Sequence, residues 1–309
     1  MAGGSKKVIY AALAGNALIA LTKFGAAALT GSSAMLSEGV HSLVDTGNQL
    51  LLLHGLRRAQ RPADARFPFG HAREVYFWSF VVAILIFGLG AGVSIYEGVL
   101  HCLEPTPLTS PVYSFIVLGL ALIFEGVAWT MALGEFRRKK GGQGYIRAVR
   151  RSKDPALMVV LFEDSAAMAG LLAAFGGVAL YALTGNHYFD GGASIVIGLI
   201  LAGTATWLAV ETKGLLIGEG AMPEVLAQVR GIVLAAPEVV GLGRLLTMHL
   251  GPEDVLLNLA LDFDDRLDAG QIEAAVARLD QGIRAALPQI KQVFIEARSS
   301  ADDRAEAPV

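Results

Sequence analysis

The sequence is poor in cysteine and in charged side chains, and each shortage excludes a class of structure. Cys102 is the single cysteine in 309 residues, so the chain can form neither an intramolecular disulfide nor a cysteine-based metal cluster. Only 17% of the residues are charged, 54% are hydrophobic and the mean hydropathy is +0.53, which is too apolar for an ordinary soluble domain. The net charge is −3 and the basic residues cluster between apolar segments, so nucleic-acid binding is not expected.

Six apolar segments are long enough to cross the hydrocarbon core of a bilayer, which takes about 20 helical residues. The first is too long for the core of a signal peptide, so we expect it to be retained as a membrane span. The sequence therefore predicts a polytopic membrane protein with a six-helix, all-α transmembrane domain over residues 1–217. The predicted spans cover residues 8–29, 34–56, 76–100, 113–133, 155–183 and 188–217.

Lysine and arginine are unevenly distributed among the connections between these spans. Residues 57–73 and 137–153 are rich in them, whereas residues 30–33, 102–111 and 184–187 contain none. Because cytoplasmic loops carry the excess of positive charge, both termini are expected on the cytoplasmic side. We expect an integral protein of a bacterial-type inner or plasma membrane.

A second, less apolar domain is predicted over residues 218–298. Alternating apolar and polar residues indicate strands, and the amphipathic stretches indicate helices, in the order αββαβ. This order suits a small α+β domain with helices on one face of a sheet. Residues 299–309 are polar and are expected to be disordered. The predicted elements are helices at 222–235 and 268–287 and strands at 239–250, 255–263 and 292–297.

Polar and ionisable side chains interrupt the second apolar segment. A charge inside a membrane span costs about 3 kcal/mol by insertion scales, so it defaults to a functional role with a partner. His41 and Asp45 are four residues apart and lie one above the other on a helix face, and Glu38 falls close to the same stripe. An imidazole and a carboxylate stacked in this way form half of a metal site.

The fifth segment offers the complementary ligands in Glu163 and Asp164. Adjacent residues point about 100° apart around a helix, so the two carboxylates cannot face one partner equally. One is expected to ligate while the other gates, pairs or accepts a proton, and the sequence leaves open which does which. Asn16 and Gln49 either add neutral oxygens to the same cavity or form hydrogen bonds between helices.

Several motifs resemble the cation diffusion facilitator family over the chain to about residue 297. They include the stretch from Ser37 to Asp45, Phe69 to Glu74 before the third span, and Leu161 to Ala167 in the fifth. The details are most similar to the zinc-transporter branch that includes the mitochondrial zinc exporter. This resemblance implies six spans, cytoplasmic termini, a ferredoxin-like cytoplasmic domain that dimerises, and hence a homodimer in the lipid bilayer.

The resemblance implies a transported metal held by His41, Asp45 and Asp164, with Glu163 as a candidate fourth ligand and Glu38, Asn16 and Gln49 in accessory or gating positions. Most zinc-transporting members of the family have a histidine four residues before this aspartate, where the present sequence has Val160. One nitrogen and several carboxylate oxygens suit Zn²⁺ but also Mn²⁺, Fe²⁺ or Co²⁺. A regulatory metal cluster is not expected in the second domain, whose single histidine is His249 and which lacks cysteine.

These observations lead to the prediction of a divalent metal exporter that exchanges Zn²⁺ for protons by alternating access, and not of an enzyme. Mn²⁺, Fe²⁺ or Co²⁺ export by the same fold is the alternative. A membrane metalloenzyme could use the same residues, but the sequence has no motif for a nucleophile or a catalytic water. The missing second histidine also leaves open a non-transporting, metal-sensing membrane protein.

Overall fold

The computed structural model describes residues 2–30, 33–104, 111–186 and 188–299. Within these ranges it gives the backbone alone for residues 2–4, 26, 27, 29–41, 111 and 113. The chain divides into two compact units. The first consists of the residues up to Gln60 together with Glu74–Lys213, and the second of Arg61–Arg73 together with the chain from Gly214 onward.

Long helices make up the first unit, close to the predicted spans. A π-helical segment, Ile86–Ala91, joins α3 to α4, so the predicted third span is continuous but contains a local change in helix geometry. The helices are α1 (Ala2–Thr30), α2 (Ser33–Arg58), α3 (Glu74–Leu85), α4 (Gly92–Leu103), α5 (Pro111–Lys140), α6 (Tyr145–Arg151), α7 (Pro155–Thr184) and α8 (Tyr188–Ile217).

Among the described residues, five helical stretches are long and apolar enough to cross a membrane. The predicted second span, α2, is a helix of 26 residues but is not among the five. Residues 33–41 of this helix are described by their backbone alone, so the finding does not cover the whole segment. The sixth span therefore stays a prediction. The five stretches are Ser5–Gly25, Glu74–Leu103, Ser114–Lys140, Pro155–Thr184 and Tyr188–Ile217.

The start of α7 is fixed by a capping residue and a small polar network. Asp154 Oδ1 accepts a hydrogen bond from the backbone N–H of Leu157, and Pro155 occupies the first turn, where its missing N–H costs nothing. The other carboxylate oxygen of Asp154 accepts from Ser5 Oγ and from Lys139 Nζ, each at 2.6 Å. This network joins the ends of α1, α5 and α7.

Small residues allow α4 and α8 to approach closely. A Cβ atom on Gly98 would lie 2.8 Å from the carbonyl oxygen of Gly191, and one on Gly191 would lie 2.7 Å from Cys102 Sγ. Such distances are too short for any real side chain, so the two helix backbones are in direct contact here.

The second unit contains a three-stranded sheet covered by two helices. Strand β2 is central, antiparallel to β1 and parallel to β3, and the element order is the predicted αββαβ. Leu257, Leu259 and Leu261 of β2 are fully buried and pack in one core with Val229 of α9 and Ile283 of α10. The elements are α9 (Pro223–Leu234), β1 (Val239–Gly251), β2 (Asp254–Phe263), α10 (Ala269–Ala286) and β3 (Ile290–Ala297). Of the tail predicted to be disordered, only Ser299 lies within the described residues.

The loop Arg61–Arg73 belongs to the second unit by its contacts, whereas the sequence analysis counted it with residues 1–217. Arg73 donates to Met248 Sδ at 2.8 Å, and the ring of Phe69 lies edge to face with that of Phe294. Inside the loop, His71 Nε2 lies 2.9 Å from Asp64 Oδ2. The hydrogen bond with His71, helped by the backbone N–H of Phe67, holds the pKa of the exposed Asp64 carboxyl below its usual range.

Candidate functional site

Four carboxylates from three helices lie together inside the first unit. Glu163 and Asp164 of α7 are 6% and 2% exposed, Glu125 of α5 is 9% exposed, and Asp45 of α2 is half-buried. The negative charges of Asp45 and Glu125 act on both Glu163 and Asp164. Like charges that are buried together repel one another strongly, because little water screens them. Such a group favours the entry of a cation.

Side-chain amides connect Glu163 to the neighbouring helices. Asn48 Nδ2 donates to Glu163 Oε1 at 3.0 Å, and Gln49 Nε2 donates to Glu163 Oε2 at 3.3 Å. Gln49 Oε1 in turn accepts from Asn16 Nδ2 of α1 at 3.2 Å. Both carboxylate oxygens of Glu163 therefore accept hydrogen bonds, and the amides link α1, α2 and α7 through buried contacts.

Asp164 is in a different environment although it is the next residue. Its Oδ2 atom is buried and has no hydrogen-bond partner among the described side chains. An unsatisfied carboxylate oxygen in this position costs free energy unless a proton or a cation meets it. Val160 lies one helical turn before Asp164 and is fully buried. Of the two adjacent carboxylates, Asp164 has the oxygen that is available to a metal.

The predicted ligands are only partly within the described residues. Asp45, Glu163 and Asp164 are brought together, whereas the side chains of His41 and Glu38, which lie on α2, are outside the description. Among the described side chains, no three His, Cys, Asp or Glu residues converge closely enough to hold a metal ion. The complete ligand set therefore stays a prediction.

Two polar residues near this group were missed by the sequence analysis. Asn48 lies beside Gln49 and was passed over in favour of it. Lys23 lies 7% exposed within the first apolar span and donates to Ser42 Oγ of α2 at 3.0 Å. A lysine deep in an apolar stretch is itself a signal for a functional residue.

Comparison with known proteins decides the family. The family model described as the cation efflux transmembrane domain matches residues 9–217, more than half of the chain. The chain belongs to the cation efflux family. This is the family also called cation diffusion facilitator, and the match agrees with the resemblance carried by the sequence motifs.

Named relatives place this cation efflux protein near the zinc branch. It is 32% identical to the mitochondrial proton-coupled zinc antiporter SLC30A9 of Xenopus laevis over 85% of the chain and 48% of the relative. Identity to metal tolerance protein C4 of Arabidopsis thaliana is 30%, over 85% of the chain and 58% of the relative. The cation-efflux pump FieF of Escherichia coli is 28% identical over 91% of the chain and 89% of the relative.

The chain spans about half the length of the SLC30A9 relatives that it matches. The apolar helices and the family together make this cation efflux protein an integral membrane protein with a small C-terminal sheet domain.

Proposed function

We propose that this protein exports divalent metal ions, with Zn²⁺ as the principal substrate and protons as the counter-ion. One observation carries the proposal: buried carboxylates from α2, α5 and α7 meet inside a chain that matches the cation efflux transmembrane domain. The name of the SLC30A9 relatives, proton-coupled zinc antiporter, supports zinc and proton exchange in particular.

Competition between metal and protons supplies the coupling. Metal ligands must be deprotonated, so a metal that binds the carboxylates and His41 displaces protons from them. A free imidazole has a pKa of about 6.5, so its protonation changes within the range of cellular pH. The site would load metal when it faces the cytoplasm and take up protons when it faces an acidic exterior. Asp45 and Asp164, joined by His41, are the ligands of this proposal.

The contacts of Glu163 argue for a supporting role. Its two oxygens accept hydrogen bonds from Asn48 and Gln49. Each of these hydrogen bonds would have to break before that oxygen could be a ligand of the metal alone. We therefore assign Glu163 to holding α2 and α7 in register and to carrying negative charge beside the metal. Asn16 and Gln49 support this arrangement, and Glu38 is assigned an accessory position on α2.

A second candidate substrate follows from the same donors. Val160 stands where a second imidazole is expected in zinc transporters, and the remaining described donors are carboxylate oxygens. Oxygen-rich sites bind Mn²⁺ and Fe²⁺ as well as Zn²⁺, and Co²⁺ also fits. The cation-efflux pump FieF among the relatives is consistent with a broader substrate range. A non-transporting metal sensor would bind the same ions without moving them.

The assembly and orientation belong to the same proposal. We infer a homodimer joined through the C-terminal αββαβ unit, of ferredoxin-like type, with both termini in the cytoplasm of a bacterial-type cell. Domain limits of 1–217, 218–298 and 299–309 complete this scheme.

Transport in liposomes tests the proposal. With an inward-directed metal gradient and a controlled pH gradient, the wild-type protein should take up Zn²⁺ faster than Mn²⁺, Fe²⁺ or Co²⁺ when these compete. His41→Ala and Asp45→Ala should each abolish uptake. Retained uptake in both variants would refute the site, and binding without flux in sealed vesicles would favour the metal sensor.

A further inference from the structure

One turn of α7 contacts three other helices. The ring of Phe162 lies against that of Trp207 of α8, with the ring centroids 4.3 Å apart. Glu163 accepts hydrogen bonds from two side-chain amides of α2. Ser165 Oγ accepts a hydrogen bond from Trp129 Nε1 of α5 at 2.9 Å. These contacts connect this turn to α2, α5 and α8.

Asp164 is the remaining residue of this turn, and its direction follows from its two neighbours. Consecutive residues of a helix point about 100° apart, so Asp164 points between the direction of Glu163, toward α2, and that of Ser165, toward α5. These are the helices that carry Asp45 and Glu125, whose charges act on Asp164. The contacts of the turn and the charges around Asp164 therefore agree on one rotation of α7 about its axis.

The hydroxyl group of Ser165 both accepts and donates a hydrogen bond. An indole N–H can only donate, so Ser165 Oγ accepts from Trp129 and gives its own hydrogen to the carbonyl oxygen of Leu161, 2.6 Å away. A serine that bonds to the carbonyl four residues earlier often bends its helix. The segment between Leu161 and Ser165, which contains Asp164, therefore depends on the hydrogen bond from α5 for a defined direction.

Two hydrogen bonds fix the register between α5 and α7. Lys139 Nζ donates to Asp154 Oδ2 at 2.6 Å. The bond from Trp129 to Ser165 lies ten residues earlier on α5 and eleven residues later on α7, so the two helices are antiparallel. Glu125 lies four residues before Trp129, on the same face of α5. The bond of Trp129 is therefore next to the acidic group on both helices.

We propose that Trp129 is a positioning residue of the transport site, which acts through Ser165 to hold Asp164 toward the gap between α2 and α5. This inference rests on the proposed function, because the direction of Asp164 matters only if it is a metal ligand. In this role the indole orients a ligand and is not itself a ligand. Outer partners that orient metal ligands in this way increase metal affinity.

Substitutions that remove only this hydrogen bond test the proposal. Trp129→Phe keeps an aromatic ring but loses the N–H, Ser165→Ala loses the acceptor, and Ser165→Thr keeps the hydroxyl group. Trp78→Phe is the matched control, because it also loses an indole hydrogen bond of 2.9 Å, but one to Glu74 within α3. Zn²⁺ affinity is measured by equilibrium binding to each purified protein, and the melting temperature is measured alongside.

Trp129→Phe and Ser165→Ala should each weaken Zn²⁺ binding about fivefold, the effect of losing one hydrogen bond. The double variant should bind no more weakly than either single variant, because both changes remove the same bond. Ser165→Thr and Trp78→Phe should stay within about twofold of wild type. Wild-type affinity in either Trp129→Phe or Ser165→Ala would overturn the role of Trp129, and so would losses that multiply in the double variant.

A purely structural role of Trp129 gives a different result when Asp164 is neutralised. In the Asp164→Asn background, Trp129→Phe should not weaken Zn²⁺ binding further, because the ligand that it positions is gone. The same loss in both backgrounds, or a lower melting temperature with an unchanged Zn²⁺ dissociation constant, would refute the positioning role. Wild-type Zn²⁺ affinity in Asp164→Asn, or absent Zn²⁺ flux in the wild type, would instead count against the proposed function.

Discussion

At the scale of single residues, Glu163 and Asp164 are neighbours in sequence with different surroundings. Two amide groups occupy the oxygens of Glu163, whereas Asp164 Oδ2 is buried without a hydrogen-bond partner among the described side chains. The helix geometry that prevents the two from facing one partner equally therefore separates a carboxylate with two hydrogen-bonded oxygens from one with an oxygen that has no hydrogen-bond partner among the described groups.

This difference predicts unequal effects of neutralising the two side chains. Asp164→Asn should weaken Zn²⁺ binding more than tenfold, because it removes a charged ligand oxygen. Glu163→Gln should weaken it severalfold at most, because the glutamine can still accept a hydrogen bond from Asn48. Equilibrium Zn²⁺ binding to the two purified variants measures both effects. A larger loss in Glu163→Gln would make Glu163 the ligand.

Residue types and spacing could predict much of this site. A carboxylate in an apolar span is visible in the sequence, and the four-residue spacing of His41 and Asp45 implies one helix face. The contacts of Glu163 could not be predicted, because they depend on how α2 and α7 are rotated about their axes. The same is true of Lys23, whose nearness to Ser42 depends on the register between α1 and α2.

At the scale of elements, the start of α7 depends on Asp154. Its Oδ1 caps the helix, and its Oδ2 accepts from Ser5 and Lys139, which belong to α1 and α5. The helix that carries both Glu163 and Asp164 is therefore anchored about 15 Å from them by one carboxylate.

Removing this carboxylate should lower the stability of the protein in two ways. Asp154→Ala loses the cap, worth about 1 kcal/mol, and also removes the carboxylate acceptor of the buried Ser5 hydroxyl and of the exposed Lys139 ammonium. Asp154→Asn keeps an oxygen for the N–H of Leu157 and loses only the charge that faces Lys139. The melting temperature of purified protein in detergent should fall in the order wild type, Asp154→Asn, Asp154→Ala. A melting temperature of Asp154→Ala equal to that of wild type would contradict the cap.

The contact between α4 and α8 makes an equally specific prediction. A Cβ atom on Gly191 would lie 2.7 Å from Cys102 Sγ and 2.8 Å from the carbonyl oxygen of Gly98, so Gly191→Ala should force the helices apart at a cost of about 1–3 kcal/mol. A Cβ atom on Gly192 would have no other atom within 4 Å, so Gly192→Ala is a matched control.

Thermal unfolding in detergent should separate the two alanine variants. Gly191→Ala should melt several degrees below wild type, whereas Gly192→Ala should match it. Equal melting temperatures for the two variants would show that the close approach of α4 and α8 is not required.

The sequence predicted the elements better than their irregularities. Long apolar runs and alternating strands are local patterns, and the helices and the αββαβ order follow them closely. The π-helical segment Ile86–Ala91 has no such pattern, since it reflects one extra residue accommodated within a helix. The docking of Arg61–Arg73 on the second unit also depends on tertiary contacts, such as Arg73 with Met248.

At the scale of the whole molecule, a buried group of carboxylates lies in a chain that belongs to the cation efflux family. The two units have separate cores, one of membrane helices and one around the strand β2. The carboxylates belong to the first unit, so metal transport should depend on its helices. In the proposed mechanism metal and protons compete for these oxygens, so the flux of one should drive the flux of the other.

Reversal of the proton gradient tests this coupling most directly. Purified wild-type protein in liposomes is given equal Zn²⁺ on both sides, and a zinc dye and a pH dye are followed together. Zn²⁺ should accumulate in acid-loaded vesicles as protons leave, its direction should reverse when the gradient is reversed, and Asp164→Asn should abolish both fluxes. Zn²⁺ movement independent of the pH gradient, or coupled fluxes retained by Asp164→Asn, would contradict the account.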